Sequence, residues 1–391
     1  MISPDELTRE QSSRILCAAL LAGNRARTKT KCYPHSRKDA KMNSYERVVK
    51  VLNGEIPDRV PTFEIMIDPR VVKGITGGDN YMDLCEQLDM DVVVSQTPSK
   101  MYREEIIDEQ KKIIKNEWGV LRQYNNEIVA HPLQGPVQTL EDALAYEAPD
   151  PLDDYRFEYL RELVKRFKGE RFIGFHLHDG FNYSYYLSSM QDMMINLIEE
   201  PEIIERLVEV GIDHNMKLAE KALEIGADFI ISGDDYGSKT SLLVSKNHFD
   251  EFFLPGLNKI SQLAQSHGAY MLKHCCGNIN PLIGEMVDFG IKGLHPLDEN
   301  SGINQIEVKE KYPSLTVIGG IDCDAPLTDF SVDQMDQYVK EVLRTHAPGG
   351  RYMCATSNSV HSSAKPENFE AMQKAVRKYG NYLPNGELDW V

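Results

Sequence analysis

The sequence predicts an α/β fold: a single (β/α)8 TIM barrel with a small hairpin insertion and a mobile N-terminal tail. Three observations carry this. Eight short apolar, β-rich runs follow Asn43, helix-periodic stretches separate most of them, and 391 residues are enough for one barrel of roughly 250 residues plus insertions.

The runs are 59–65 (RVPTFEI), 91–95 (DVVVS), 171–177 (RFIGFHL), 227–232 (ADFIIS), 269–274 (AYMLKH), 291–295 (IKGLH), 315–320 (LTVIGG) and 350–355 (GRYMCA). Stretches such as 200–224 and 246–267 space their apolar residues three and four apart, as a one-sided buried helix does. Parallel neighbours need crossover helices, so repeated β–α units imply a parallel sheet, and eight of them imply a closed barrel. The span 115–135 breaks this rhythm and reads as a hairpin turning at Asn125-Asn126. Residues 1–41 carry nine Lys/Arg against four Asp/Glu. Asp5, Glu6 and Glu10 do not suit a signal or transit peptide. This piece is expected to be a disordered extension ahead of a barrel at 42–391.

Composition removes several function classes. With 43 Lys+Arg against 60 Asp+Glu the net charge is −17, which argues against nucleic acid and anionic membrane as partners. No apolar run is long enough for a transmembrane helix. Seven scattered cysteines are not a disulfide framework and point to a reducing, cytoplasmic setting. Many barrels pair through their outer helices, so a homodimer stays open.

Barrel active sites lie at the C-terminal strand ends. Those ends offer Glu64 and Asp68, then His176, His178 and Asp179, then Asp234 and Asp235, then His274, Cys275 and Cys276. His295 and Asp298 follow, then Asp322 and Cys323, and last Cys354, Asn358 and His361. In His274-Cys275-Cys276-Gly277-Asn278, residues i and i+2 of a strand face the same way. His274 and Cys276 can therefore point together into the barrel mouth, and an imidazole beside a thiolate suits zinc. Cys354 could add a third ligand and Glu64 an oxygen. An ordinary buried Cys explains the pattern as well. Asp234 and Asp235 could bind substrate, hold a ligand-bearing histidine, or cap the next helix. Phe181, Tyr183, Tyr185 and Tyr186 could line a pocket or pack a helix.

Together these residues carry a resemblance. The chain resembles the uroporphyrinogen decarboxylase superfamily from about Asn43 to Tyr382, and within it the cobalamin-dependent methyltransferase branch. The landmarks are Arg47-Val48-Val49, Leu52-Asn53-Gly54-Glu55-Ile56-Pro57-Asp58-Arg59-Val60-Pro61, Gly174-Phe175 and Gly226-Ala227-Asp228. Asp234-Asp235-Tyr236-Gly237-Ser238, His274-Cys275-Cys276-Gly277-Asn278, Gly319-Gly320-Ile321-Asp322 and Pro366-Glu367-Asn368 complete them. The decarboxylases are known for an arginine-rich first loop, but 62–70 holds one Arg and two acids. Their essential Asp after strand two has no counterpart in 92–101, and a histidine expected near the end of strand eight is replaced by Asn358. Tyr185 does match a tyrosine of the decarboxylase site.

The methyltransferase branch implies a zinc held by His-x-Cys, here His274 and Cys276, and by a distant Cys. The expected place of that Cys is Asn358, and Cys354 lies four residues earlier. Glu64, His295, Cys354 and His361 are the substitutes. The resemblance implies a zinc-dependent methyltransferase that moves a methyl group between a small methoxy, methylamine or thiol compound and methylcobalamin or another corrinoid on a separate protein. The chain itself lacks the Asp-x-His-x-x-Gly motif that ligates cobalt. Glu64, Asp234, Asp235 and Tyr185 are the expected catalytic residues. His176, His178, Phe181, His295 and Asn358 are expected to bind substrate, and His274, Cys276 and Cys354 to hold the metal. A uroporphyrinogen decarboxylase and a non-catalytic member that docks a corrinoid protein are the alternatives.

Overall fold

The computed structural model describes residues 42–95, 103–125, 127 and 129–390. In chain order its strands are β1 (Val92–Ser95), β2 (Glu104–Asp108), β3 (Ile113–Asn116), β4 (Leu121–Gln123), β5 (His131–Gln134), β6 (Phe172–Leu177), β7 (Phe229–Ser232), β8 (Tyr270–His274), β9 (Gly293–His295), β10 (Thr316–Ile321) and β11 (Tyr352–Thr356). β1 and β6 to β11 form one parallel sheet in sequential order. Helices lie between its strands, and the sheet curls into a TIM-barrel-like α/β fold.

The run at 59–65 takes the eighth place without becoming a regular strand. Thr62 bridges Cys354 in parallel, Phe63 N–H donates to Cys354 O, and Cys354 N–H donates to Pro61 O. On the other side no bridge to β1 forms among the described residues. Asp91, just ahead of β1, serves there instead. It accepts the Thr62 N–H at 2.9 Å and pairs with Arg47 at 2.5 Å and Arg59 at 2.7 Å. Burial opposes its charge, but Arg59 and Arg47 outweigh this and hold the carboxyl below its ordinary range.

Alternation along each strand sorts two cores. Inside the barrel lie Phe63, Ile65, Val92, Phe172, Phe229, Ile231, Leu272, Ile318, Met353 and Ala355. Helix Ser44–Leu52 plugs the N-terminal end with Val48, Val51 and Leu52. A reciprocal Asn43–Glu46 capping box starts this helix. The outer core takes the intervening positions, such as Phe175, Ile230, Met271, Val317 and Tyr352, and packs them against the helices.

The insertion is larger than 115–135. It begins at Glu104 and is a four-stranded antiparallel sheet, β2-β3-β4-β5. β2 escapes a sequence reading because four of its five residues are exposed, so no face of it is apolar. Trp118 and Val120 bind this sheet to Tyr183, Leu187, Ile203 and Leu207. The proposed Asn125-Asn126 turn falls between β4 and β5, with Asn126 outside the described residues. The expectation for 1–41 also lies outside them. No helix among the described residues is long and apolar enough to cross a membrane.

Candidate active site

Three ligand atoms meet where β7 and β8 end. His274, Cys276 and Asp235 each place one donor atom within 4.8 Å of the other two. His274 Nε2 is 3.5 Å from Cys276 Sγ and 3.5 Å from Asp235 Oδ1. The Cys276 N–H donates to Asp235 Oδ1 at 2.8 Å. Two glycines let these loops touch. A Cβ on Gly277 would meet the Gly237 carbonyl carbon at 2.2 Å, and one on Gly237 would meet Asn278 N at 2.7 Å. Gly277 also has φ +82°. Cys275 points the other way, and its sulfur accepts the Tyr236 N–H at 3.1 Å.

Hydrogen bonding settles which His274 nitrogen is free. His295 Nε2 faces the Thr356 carbonyl oxygen at 2.9 Å, and that oxygen can only accept. His295 therefore donates from Nε2. Burial pushes its pKa well below the ordinary value, so the ring is neutral and Nδ1 is an acceptor. His274 Nδ1, 2.7 Å from His295 Nδ1, must then be the donor. Burial, with Lys273 adding, brings His274 down to about 3, so it too is neutral. Its Nε2 is left with a lone pair aimed at Cys276 and Asp235. Burial, then Asp235, pushes the Cys276 thiol far up, and burial raises Asp235. One N, one S and one O donor within reach of one point fit a zinc ion. The other triplet among the described residues, Asp322, Cys323 and Asp324, is consecutive in sequence and has no such support.

Two expected ligands stand elsewhere. Cys354 alternates with the inward Met353 and Ala355, so it faces the outer core and packs with Tyr352. Glu64 likewise alternates with the inward Phe63 and Ile65. Its Oε2 lies 2.5 Å from the Thr356 hydroxyl, and burial raises its pKa to about 8. Asp235 occupies the third place in the cluster instead. Asn358 donates from Nδ2 to Cys276 Sγ at 3.4 Å. His361 is turned to the Cys323 carbonyl.

A cavity of about 280 Å³ opens beside the cluster, bordered by His274, Asp235, His176, His178, Asn358 and Tyr185. Asp234 is fully buried behind His178 and 2.5 Å from its Nδ1. It also accepts the Asn182 N–H. His178 pulls the Asp234 carboxyl below its ordinary range against the effect of burial. That arrangement fixes the Nδ1 proton of His178 and turns Nε2 toward the cavity. Burial lowers His176 to about 3, so it is a neutral wall. Tyr185 donates to Asn182 Oδ1 at 2.9 Å. Phe181 is buried among Tyr236, Phe249 and Phe253, away from the cavity. His295 backs His274 and does not border the cavity. The sequence reading missed Arg122, Arg156, Asn182 and His214 on the cavity wall. Only the burial of the middle residue of β4 marks Arg122, and that depends on the neighbouring elements.

Comparison with known proteins gives a family and a fold. The profile of the family described as uroporphyrinogen decarboxylase (URO-D) matches residues 43–379. Two curated relatives, the methylcobamide:CoM methyltransferases MtaA of Methanosarcina barkeri and of its strain Fusaro, are each 24% identical over 193 residues. That stretch is 49% of this chain, which spans about half (54%) of the relatives' length. A solved methyltransferase from Methanosarcina mazei superimposes with a TM-score of 0.68 at 18% identity, covering 86% of this chain and 99% of that one.

Proposed function

The chain belongs to the uroporphyrinogen decarboxylase family, and on that premise we propose that it is a zinc-dependent methyltransferase exchanging a methyl group between a small substrate and a corrinoid protein. The observation that carries this reading is the Asp235–His274–Cys276 cluster at the edge of a cavity. The partial match to the MtaA relatives supports it.

His274, Cys276 and Asp235 would hold the zinc. When bound, zinc supplies Lewis acidity, either stabilising a substrate thiolate or polarising the heteroatom that bears the methyl group. His295 fixes the tautomer and ring direction of His274. Asn358 directs an amide N–H at Cys276. His178, with its Nδ1 proton held by Asp234, takes or returns a proton at the substrate heteroatom through Nε2. Tyr185 and Tyr186 enclose the substrate and limit water. A methoxy or similar small donor fits best. At about 280 Å³ the cavity is just below the range of ligand pockets, which begins at about 300 Å³, and a tetrapyrrole is far larger. A free Cys276 thiol suits a cytoplasmic location.

The test is zinc content by elemental analysis after metal loading and dialysis, together with demethylation of methylcobalamin followed by absorbance. We expect about one zinc per chain, its loss in Cys276→Ala, and demethylation in the presence of a thiol or demethylated acceptor. A zinc-free wild type, or a Cys276→Ala variant that keeps its zinc, overturns the reading.

A further inference from the structure

Four arginines are buried among the described residues, and three of them hold a carboxylate. Arg47 and Arg59 pair with Asp91, and Arg156 grips Glu117 at 2.6 and 2.8 Å. Arg122 is the exception. It is 7% exposed and sits mid-β4, opposite Ile114 of β3 and Pro132 of β5. Its neighbours Leu121 and Gln123 are less buried, as alternation requires. Its Nε has no hydrogen-bond partner, and no ion pair or side-chain hydrogen bond reaches its guanidinium among the described residues. It lies over the Tyr186 ring, 5.1 Å from the centroid.

Burying an unpaired cation is unfavourable, and an aromatic face offsets only part of that. The same guanidinium borders the cavity that reaches His274 and Asp235. We propose that Arg122 anchors the anionic end group, a carboxylate or a sulfonate, of the small molecule that fills this cavity. A planar fork of N–H donors matches two oxygens of such a group. One unpaired guanidinium balances one negative charge, which favours these monoanions over a phosphate. The opposite end of the ligand then faces the donor cluster. This deepens the methyltransferase reading by naming the substrate's end group, but the binding it describes needs neither zinc nor methyl transfer.

The test is calorimetric titration of the full chain in EDTA with benzoate and ethanesulfonate, and with their neutral counterparts benzamide and ethanesulfonamide. We expect at least one anion to bind, its amide to bind about 10- to 100-fold more weakly, and Arg122→Gln to lose the anion by a similar factor. Arg122→Lys should fall between. Whichever anion binds identifies the end group. Equal binding of anion and amide to wild type overturns the proposal without any variant, as does retention of the anion by folded Arg122→Gln. An anion that binds only after zinc loading, and equally in Arg122→Gln, is a metal ligand. That result removes the anchor and leaves the methyltransferase reading standing.

Discussion

Glu64→Gln should leave the protein folded and remove a pH-dependent destabilisation. The Thr356 hydroxyl lies 2.5 Å from Glu64 Oε2 and 2.5 Å from the Asn358 carbonyl oxygen. It owns one proton, and the carbonyl can only accept it. That one proton has two acceptors when Glu64 is ionised, whereas a protonated Glu64 can donate to the Thr356 oxygen and leave the Thr356 proton to the carbonyl. Burial points the same way, raising Glu64 from 4.5 to about 8. A carboxyl whose folded pKa is raised adds stability below its unfolded pKa and loses it as pH climbs through the folded one. Between pH 5 and 7 that loss is about 2–3 kcal/mol, at 1.36 kcal/mol per pKa unit. Gln presents an N–H to the Thr356 oxygen and an acceptor to the Thr356 N–H, as the protonated acid does. Urea unfolding in EDTA from pH 5 to 8 should show Glu64→Gln gaining on wild type by about that amount toward pH 7. A variant destabilised by about 2 kcal/mol or more at pH 6, with the pH slope of wild type, would refute the argument and mean that Glu64 is an anion in the folded protein.

Two other perturbations test the frame and the site. Asp91→Asn leaves Arg47 and Arg59 buried without their shared anion, and should cost about 3–5 kcal/mol in urea unfolding at pH 7. The Asp91 carboxyl is held below its ordinary range, so its stabilising effect is present above the unfolded pKa and fades as pH falls. The gap between wild type and variant should narrow below about pH 4; a constant gap would argue against the charge. His295→Phe removes the acceptor that orients His274, and should weaken zinc about 10- to 100-fold in competition with a chromophoric chelator. Unchanged affinity would show that His274 is oriented by other means.

The barrel was legible because its cues are local. Each run carries its own apolar alternation and each helix its own period. The pairing of His274 with Cys276 was legible for the same reason, since i and i+2 on a strand need no knowledge of the rest of the fold. Cys354 and Glu64 belong to strand ends and so qualify as ligands by position, but each sits between two inward apolar residues that place it on the outer face. Parity along the strand was the missing argument. Asp235 stood among several acids at strand ends, and its place beside Cys276 depends on the contact between Gly237 and Gly277, which joins loops about 40 residues apart. Arg122 was not legible at all. Its significance is the lack of a partner, which exists only once the insertion sheet lies against the barrel wall.

The irregular eighth place in the barrel also orders its assembly. β6 pairs with β1 across the insertion, and β7 to β11 each pair with the strand just before them in sequence, so they can join as the chain lengthens. The segment around Thr62 has its backbone partner in β11, 292 residues away by the Glu64–Thr356 contact. On the side of its nearer neighbour β1, the Thr62 N–H is held by the carboxylate of Asp91, just ahead of that strand. Closing so long a loop is entropically costly, and the cost falls due only when the last strand exists. The Thr62–Cys354 bridge that seals the ring can therefore form only once β11, the last strand in the chain, is in place.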